Sequence, residues 1–386
     1  MKIVFLYKYF PGIGGVERVL SILANELVRQ GHDVAIISFQ QPEKTPFYKL
    51  NENIKLIQLP NDRLITAEEN VLFLSDLLST QGVDILFNHD STLDSTKLVG
   101  MTRKRVKSNC KFITLHHGPI FVNIKSLYHR LKSNNQSIKL ILFPLFFCIT
   151  NIRRLFSHWL NMSRNDYYVT LAECFKKELL FNKKASAISN PLSFDGMIRE
   201  EEIDRKENLV LMVGRISEWH KRFQMALDIW EHFDSNDDWK LIIVGDGPDF
   251  DRTKESISNR KLNNVTMVGQ QDPLEYYKRA KILMLTSSTE GFPLVLNEAK
   301  QNGCVPIAMN SFKSVDVSIS DGIDGYIVRN NDKKDFVGKI NKLMTDEEHL
   351  KKMAEAAVVN SQKFSAKTIT EKWINLFSKL KADVKN

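Results

Sequence analysis

The sequence predicts an α/β protein made of two doubly wound, parallel-sheet domains. Three observations carry that reading: short apolar runs alternate with helix-like stretches along nearly the whole chain, the alternation begins afresh near residue 207, and 386 residues suit two domains of ordinary size. A hydrophobic share of 43% and a charged share of 26% fit a folded globular chain and exclude a disordered or fibrous one.

In the first half the expected strands are Lys2 to Tyr7, Asp33 to Phe39, Val83 to Phe87, Lys111 to Leu115 and Tyr167 to Leu171. Each is a short continuous apolar run, as strands buried on both faces require. Val16, Val19, Leu20, Leu23, Leu27 and Val28 recur at helical spacing and Gly31 stops the run, so a helix is expected from Val16 to Gln30. Strand, glycine loop and helix together form the opening unit of a Rossmann-like domain. The second half repeats the pattern with Leu209 to Gly214, Lys240 to Gly245, Val265 to Gly269, Ile282 to Thr286 and Val305 to Met309. Ala366 to Val384 places Ile369, Trp373, Ile374, Phe377 and Leu380 on one face of an amphipathic helix. The expected domains are 1–188, completed by the terminal helix 366–386, and 189–365.

Cys110, Cys148, Cys174 and Cys304 lie far apart and form no C-x-x-C pair, so reduced thiols, no disulfide and no structural zinc are expected. Met1 to Phe10 is interrupted by Lys8 and followed by Pro-Gly, so it reads as a first strand and not as a secretion signal; a cytoplasmic location is expected. The net charge of +8 is unevenly spread: from Ser95 to Asn165 there is no Asp or Glu, against thirteen Lys or Arg, among them Arg103, Lys104, Arg105, Lys107, Lys125, Arg130, Lys132, Lys139, Arg153 and Arg154. Within that stretch Leu140 to Ile149 is an apolar decamer, about half the length needed to cross a bilayer. With Phe146, Phe147, Phe156 and Trp159 close by, this composition suits shallow contact with an anionic membrane on the inner face of the plasma membrane. No nucleic-acid-binding motif accompanies the charge, and no nucleic-acid partner is expected.

The most informative segment is Thr289 to Ala299, which follows an apolar strand. Gly291 and Pro293 make a turn around Phe292, and a helix is expected to start at Leu294, where unpaired N–H groups and the positive dipole end suit a phosphate. Glu298 falls one turn into that helix, at ribose-binding reach, and Glu290 precedes the turn. Arg215 and Lys221 follow a strand end, where cations stabilise a departing diphosphate. Gly14 and Gly15 lie in the loop after the first strand, where backbone can approach a ligand closely. Glu17 stands where the third glycine of G-x-G-x-x-G belongs, which argues against a nicotinamide enzyme. His116 and His117 follow another strand and precede Gly118-Pro119.

These motifs, in this order, resemble the retaining GT-B glycosyltransferases of family four. Glu290 and Glu298 enclose Gly-Phe-Pro as the family's glutamate pair does. Val213-Gly214-Arg215 with Lys221, Val244-Gly245-Asp246-Gly247-Pro248, Val268-Gly269 with Pro273 to Ala280, and Asp321 to Tyr326 match its further elements. The resemblance covers nearly the whole chain and is densest over 209–330.

It implies two domains facing a central cleft, and a sugar moved with retention from a nucleoside diphosphate sugar, a UDP-sugar being the expected donor, to a saccharide or lipid-linked saccharide. His116, Arg215, Lys221 and Glu290 are then the catalytic set. Gly14, Gly15, Gly245, Gly291, Phe292, Pro293, Leu294 and Glu298 join Arg215 and Lys221 around the donor, with His117 and Gly118 on the acceptor side. The Thr-x-His spacing favours His116 over His117 as the family's active-site histidine. No metal and no other cofactor is expected. Two other readings stay open from the residues alone: a nucleotide-sugar epimerase of the same architecture, and a non-catalytic sugar-nucleotide-binding subunit.

Overall fold

The computed structural model describes residues 1–386 except 44, 134–135, 181–182, 234–237 and 383–386, and except the side chains of 125, 126, 129 and 133. The Lys125 side chain of the basic segment and the last four residues of the expected terminal helix therefore lie outside the described residues. The chain divides into two compact units: 1–121 with 148–193 and 364–386, and 122–147 with 194–363.

The first unit holds seven parallel strands, β1 (Lys2–Tyr9), β2 (Asp33–Gln40), β3 (Lys55–Gln58), β4 (Ile85–Asn88), β5 (Lys111–His116), β6 (Tyr167–Thr170) and β7 (Ala185–Ala187). Their order is β3-β2-β1-β4-β5-β6-β7. The second unit holds β8 (Glu207–Val213), β9 (Lys240–Val244), β10 (Val265–Gly269), β11 (Ala280–Leu285), β12 (Val305–Asn310) and β13 (Tyr326–Arg329), in the order β10-β9-β8-β11-β12-β13. In both sheets the first strand is internal and the winding reverses beside it, at β1/β4 and at β8/β11. Such reversals open a crevice at the carboxyl ends of the strands, where ligands bind in doubly wound sheets.

The apolar runs read from the sequence form the sheet cores: Ile3 to Leu6, Val210 to Met212 and Ile282 to Leu285 are buried on both faces. The edge strands β3, β7 and β13 were not anticipated. They are three or four residues long, too short for a periodic signal.

The helix Gly15–Arg29 follows β1 and buries Val19, Leu20, Leu23 and Leu27. The terminal helix Ala366–Ala382 belongs to the first unit and buries Ile369, Trp373 and Phe377. Trp373 lies 4.4 Å from the ring of Phe87 in β4. Full burial of side chains of this size stabilises by about 1.5–3 kcal/mol each, enough to dock the helix firmly. The decamer Leu140 to Ile149 is helical and runs into the helix Phe143–Arg164. Among the described residues no helix is long and apolar enough to cross a membrane.

Candidate active site

In the second unit the residues gather at the carboxyl ends of β8 and β11. Gly214 follows β8, and the chain turns through Arg215 into the short helix Glu218–Lys221. Gly245, after β9, has φ 143°, and a Cβ there would fall 2.0 Å from the Gly214 carbonyl oxygen, so only glycine fits where these two loops cross. Lys221 is buried and its Nζ donates to Glu290 Oε1 at 2.7 Å. His220 Nε2 stands 3.8 Å from Glu290 Oε2. Burial by itself would raise the Glu290 carboxyl, but Lys221 and His220 outweigh it and hold the group below its ordinary value. The carboxylate thus stays ionised against Lys221 in one partly enclosed place.

That pair is held by its surroundings. Thr286 Oγ1 donates to the Lys221 carbonyl at 2.7 Å, and the Ser288 N–H to that of His220 at 2.7 Å. Arg222, at φ 56°, donates to the carbonyls of Thr286 and Ser287 and to Asn330 Oδ1 and Asn331 Oδ1, fastening the lysine loop to the end of β11. Arg215 is exposed and close enough for its charge to act on His220. Glu290 leads through Gly291, whose carbonyl accepts from Ser314 Oγ at 2.8 Å, and the buried Phe292 to Pro293, the N-cap of the helix Leu294–Gln301. No side chain caps this helix; the Leu296 N–H is taken by the Pro293 carbonyl at 3.2 Å, and the N–H groups of Leu294 and Val295 stand at the helix start, where the dipole is positive.

Glu298 is buried, and Tyr277 O–H donates to its Oε2 at 2.9 Å. The two glutamates of the motif thus have different partners, Lys221 for Glu290 and Tyr277 for Glu298. Lys300, two residues on, is fully buried with Asp324 at 2.7 Å, a structural clamp between the helix and the Asp321 to Tyr326 turn.

In the first unit His116 ends β5. Its Nδ1 lies 2.7 Å from Ser91 Oγ and its Nε2 3.3 Å from the Pro119 carbonyl, which also accepts from Arg154 at 3.0 Å. His117 Nε2 meets His89 Nδ1 at 3.2 Å, and His158 Nδ1 meets the Tyr168 hydroxyl at 2.8 Å. Burial, with lesser help from His158, holds His116 well below the ordinary histidine range. Burial lowers His117 to about 3, and burial with the nearby Arg154 lowers His158 to about 4. All three rings are neutral near pH 7, so they act as hydrogen-bonding groups and not as cations. Gly118 lies against the His116 ring. At Gly14 and Gly15 the helix start is already occupied: Glu17 lays its carboxylate back over Gly12 and Gly14.

His220, Arg222, Ser91, His158 and Arg154 had not been singled out as site residues. Their places depend on contacts between residues 10 to 109 positions apart, and no local spacing announces them. The chain does carry an Asp-x-Asp triplet, Asp249-Phe250-Asp251, but Asp249 Oδ2 accepts the Glu218 N–H at 2.8 Å as part of the loop. Among the described residues no group of three or more His, Cys, Asp or Glu could hold a metal ion.

The architecture recurs in solved structures. That of Anabaena Alr3699/HepE in complex with UDP and glucose matches with a TM-score of 0.73 at 16% identity, over 98% of this chain and 99% of that one. Two doubly wound units with ligand loops at their strand ends define the GT-B fold of glycosyltransferases. The family models "Glycosyltransferase Family 4" and "Glycosyl transferases group 1" match residues 13–154 and 194–358, and the chain belongs to this family of glycosyltransferases.

Among its relatives is the amylovoran biosynthesis glycosyltransferase AmsD of Erwinia amylovora, 27% identical over 98% of this chain and 99% of that protein. Another, at 26% identity over 99% of each, is the GalNAc-alpha-(1->4)-GalNAc-alpha-(1->3)-diNAcBac-PP-undecaprenol alpha-1,4-N-acetyl-D-galactosaminyltransferase of Campylobacter jejuni.

Proposed function

We propose that this glycosyltransferase moves a sugar, with retention of configuration, from a UDP-sugar to a saccharide or lipid-linked saccharide in cell-surface polysaccharide or glycolipid assembly. The observation that carries the reading is the Lys221–Glu290 pair at 2.7 Å, leading directly into the uncapped helix start after Pro293. An ammonium, the exposed Arg215 and free backbone donors suit a diphosphate whose negative charge grows as the sugar–phosphate bond breaks. Glu290, kept ionised, suits the hydroxyls of the sugar. In this reading Glu290 anchors the donor sugar, Glu298 holds the ribose, and His116 serves catalysis as a neutral hydrogen-bond donor. Charge neutralisation comes from side chains and backbone, and no metal is needed.

The acceptor class is supported by the relatives: one is named for amylovoran biosynthesis and another for a PP-undecaprenol-linked substrate. The solved neighbour with UDP and glucose supports the donor.

Contact with an anionic membrane on the cytoplasmic side is part of the same proposal. On the helix Phe143–Arg164, Ile149, Ile152, Phe156 and Trp159 follow at steps of three and four and are 44%, 64%, 54% and 46% exposed. That spacing forms one stripe, with exposed Arg153 on its flank and no acid from Ser95 to Asn165. In sedimentation with phosphatidylglycerol vesicles the chain is expected to bind, phosphatidylcholine vesicles to bind little, and I152E/F156E to stay in solution. Equal binding to both lipids, or no change in the variant, would exclude the stripe.

The transfer reading is tested by incubating the chain with UDP-sugars and undecaprenyl-pyrophosphate-linked saccharides. UDP release that depends on acceptor is expected. Sugar epimerisation without acceptor, or binding without turnover, would contradict it.

A further inference from the structure

We infer that Ser91 is a positioning residue: its hydroxyl donates to His116 Nδ1 and so holds the imidazole in the orientation in which its Nε2–H can serve catalysis as a donor. The catalytic role of His116 rests on the transfer reading above; its bond to Ser91 does not.

The assignment follows from the partners. Pro119 offers His116 Nε2 a carbonyl oxygen at 3.3 Å, which can only accept, so Nε2 carries the hydrogen. The buried ring is neutral and has one N–H. Nδ1 is then a lone pair, and the group 2.7 Å from it, Ser91 Oγ, must be the donor. The opposite tautomer would set two lone pairs against each other at Pro119, and a buried polar atom without a partner costs about 1–3 kcal/mol.

The Nε2–H is also the bond most easily given up. Pro119 O accepts from Arg154 Nη1 at 3.0 Å, the shorter of its two contacts, so the carbonyl remains satisfied when the imidazole turns to another acceptor. Gly118 borders the same ring edge: a Cβ there would sit 3.6 Å from Nε2, so the missing side chain leaves that nitrogen uncovered.

Ser91 itself is held for the task. Asn161 Nδ2 donates to its carbonyl at 3.1 Å. On either side Asp90 Oδ1 accepts the Thr92 N–H at 2.9 Å, and Asn88 binds the Asp90 backbone through both ends of its amide at 3.0 and 2.7 Å. A hydroxyl on a loop pinned this way loses little freedom in keeping one direction, which is what orientation of a second group requires.

The experiment reads the proton and the turnover separately. In the full chain with ¹⁵N-labelled histidine, His116 is expected to show the Nε2–H tautomer throughout, with the Nδ1 resonance of a hydrogen-bonded lone pair kept in Ser91→Thr and shifted to that of an unbonded one in Ser91→Ala. With a UDP-sugar and acceptor, Ser91→Ala is expected to lower kcat about tenfold to a hundredfold, with KM nearly unchanged, while Ser91→Thr recovers most of it. In a His116→Gln background, whose amide donates without any tautomer to choose, Ser91→Ala is expected to cost less than about twofold, a non-additivity that loss of fold alone does not give. An unchanged Nδ1 resonance in Ser91→Ala, or a full additional loss in the glutamine background, would overturn the assignment. If no nucleotide sugar is turned over, the transfer reading fails and the spectrum alone decides for or against Ser91.

Discussion

Lys221 and Glu290 form an ion pair at 2.7 Å in the second unit, whereas burial keeps His116, His117 and His158 neutral in the first, with the Arg154 guanidinium pushing the same way on His116 and His158. Burying a charge costs far more than burying a neutral ring unless an opposite charge compensates. The second unit therefore sets opposite charges against each other, and the first sets neutral rings beside Arg154, which donates to the Pro119 carbonyl.

The contrast breaks most easily at Lys221. Lys221→Met removes the nearest cation from a buried carboxylate and is expected to destabilise by about 3–5 kcal/mol, with donor turnover abolished. Adding Glu290→Gln should restore much of the stability and none of the activity. Denaturant unfolding of both variants checks this, and a single variant as stable as the parent would mean that the pair is not a compensated one.

Acid separates the two clusters next. His117 and His158 lie near 3 and 4 in the folded chain against an ordinary 6.5, so the unfolded chain binds more protons between those values. Stability present at neutral pH is then lost as the pH falls below about 6.5, by roughly 1–2 kcal/mol per histidine at pH 5. Glu290 depends on pH with the same sign but in a lower window: held below 4.5, it contributes above that value and its contribution is lost only at lower pH. Melting temperature between pH 7 and 5 should therefore fall through the histidines alone. His158→Asn, which retains a partner for Tyr168, should flatten the slope, and an unchanged slope would count against neutral burial of that ring.

Arg215 offers the smallest effect. It is exposed, so Arg215→Ala should alter stability by less than about 0.5 kcal/mol. Donor affinity, read by calorimetry with a UDP-sugar, is expected to weaken about tenfold, the scale of one hydrogen bond to a charged group. A change in stability without a change in affinity would place Arg215 outside the donor site.

Much of the fold was legible because its signal is local. Buried parallel strands such as Lys2–Tyr9 and Val305–Asn310 announce themselves as apolar runs, and the stretch Glu290 to Glu298 carries turn, helix start and carboxylates within nine residues. What stayed hidden depends on distance along the chain. Ser91 and His116 are 25 residues apart, and Lys221 and Glu290 are 69 apart; both lysine and glutamate were recognised, but their pairing was not. Glu17 read only as a departure from a glycine fingerprint, and the fold turns it into the group that covers that loop. Asp324 read as part of a turn, and its buried bond to Lys300 shows why an acid is needed there.

The most direct measurement is a crystal structure of the chain with an intact UDP-sugar. The expected result has the diphosphate against Arg215, Lys221 and the first N–H groups after Pro293, and the sugar hydroxyls on Glu290. A nucleotide seated at another strand end, or phosphates beyond reach of that lysine and helix start, would contradict the account.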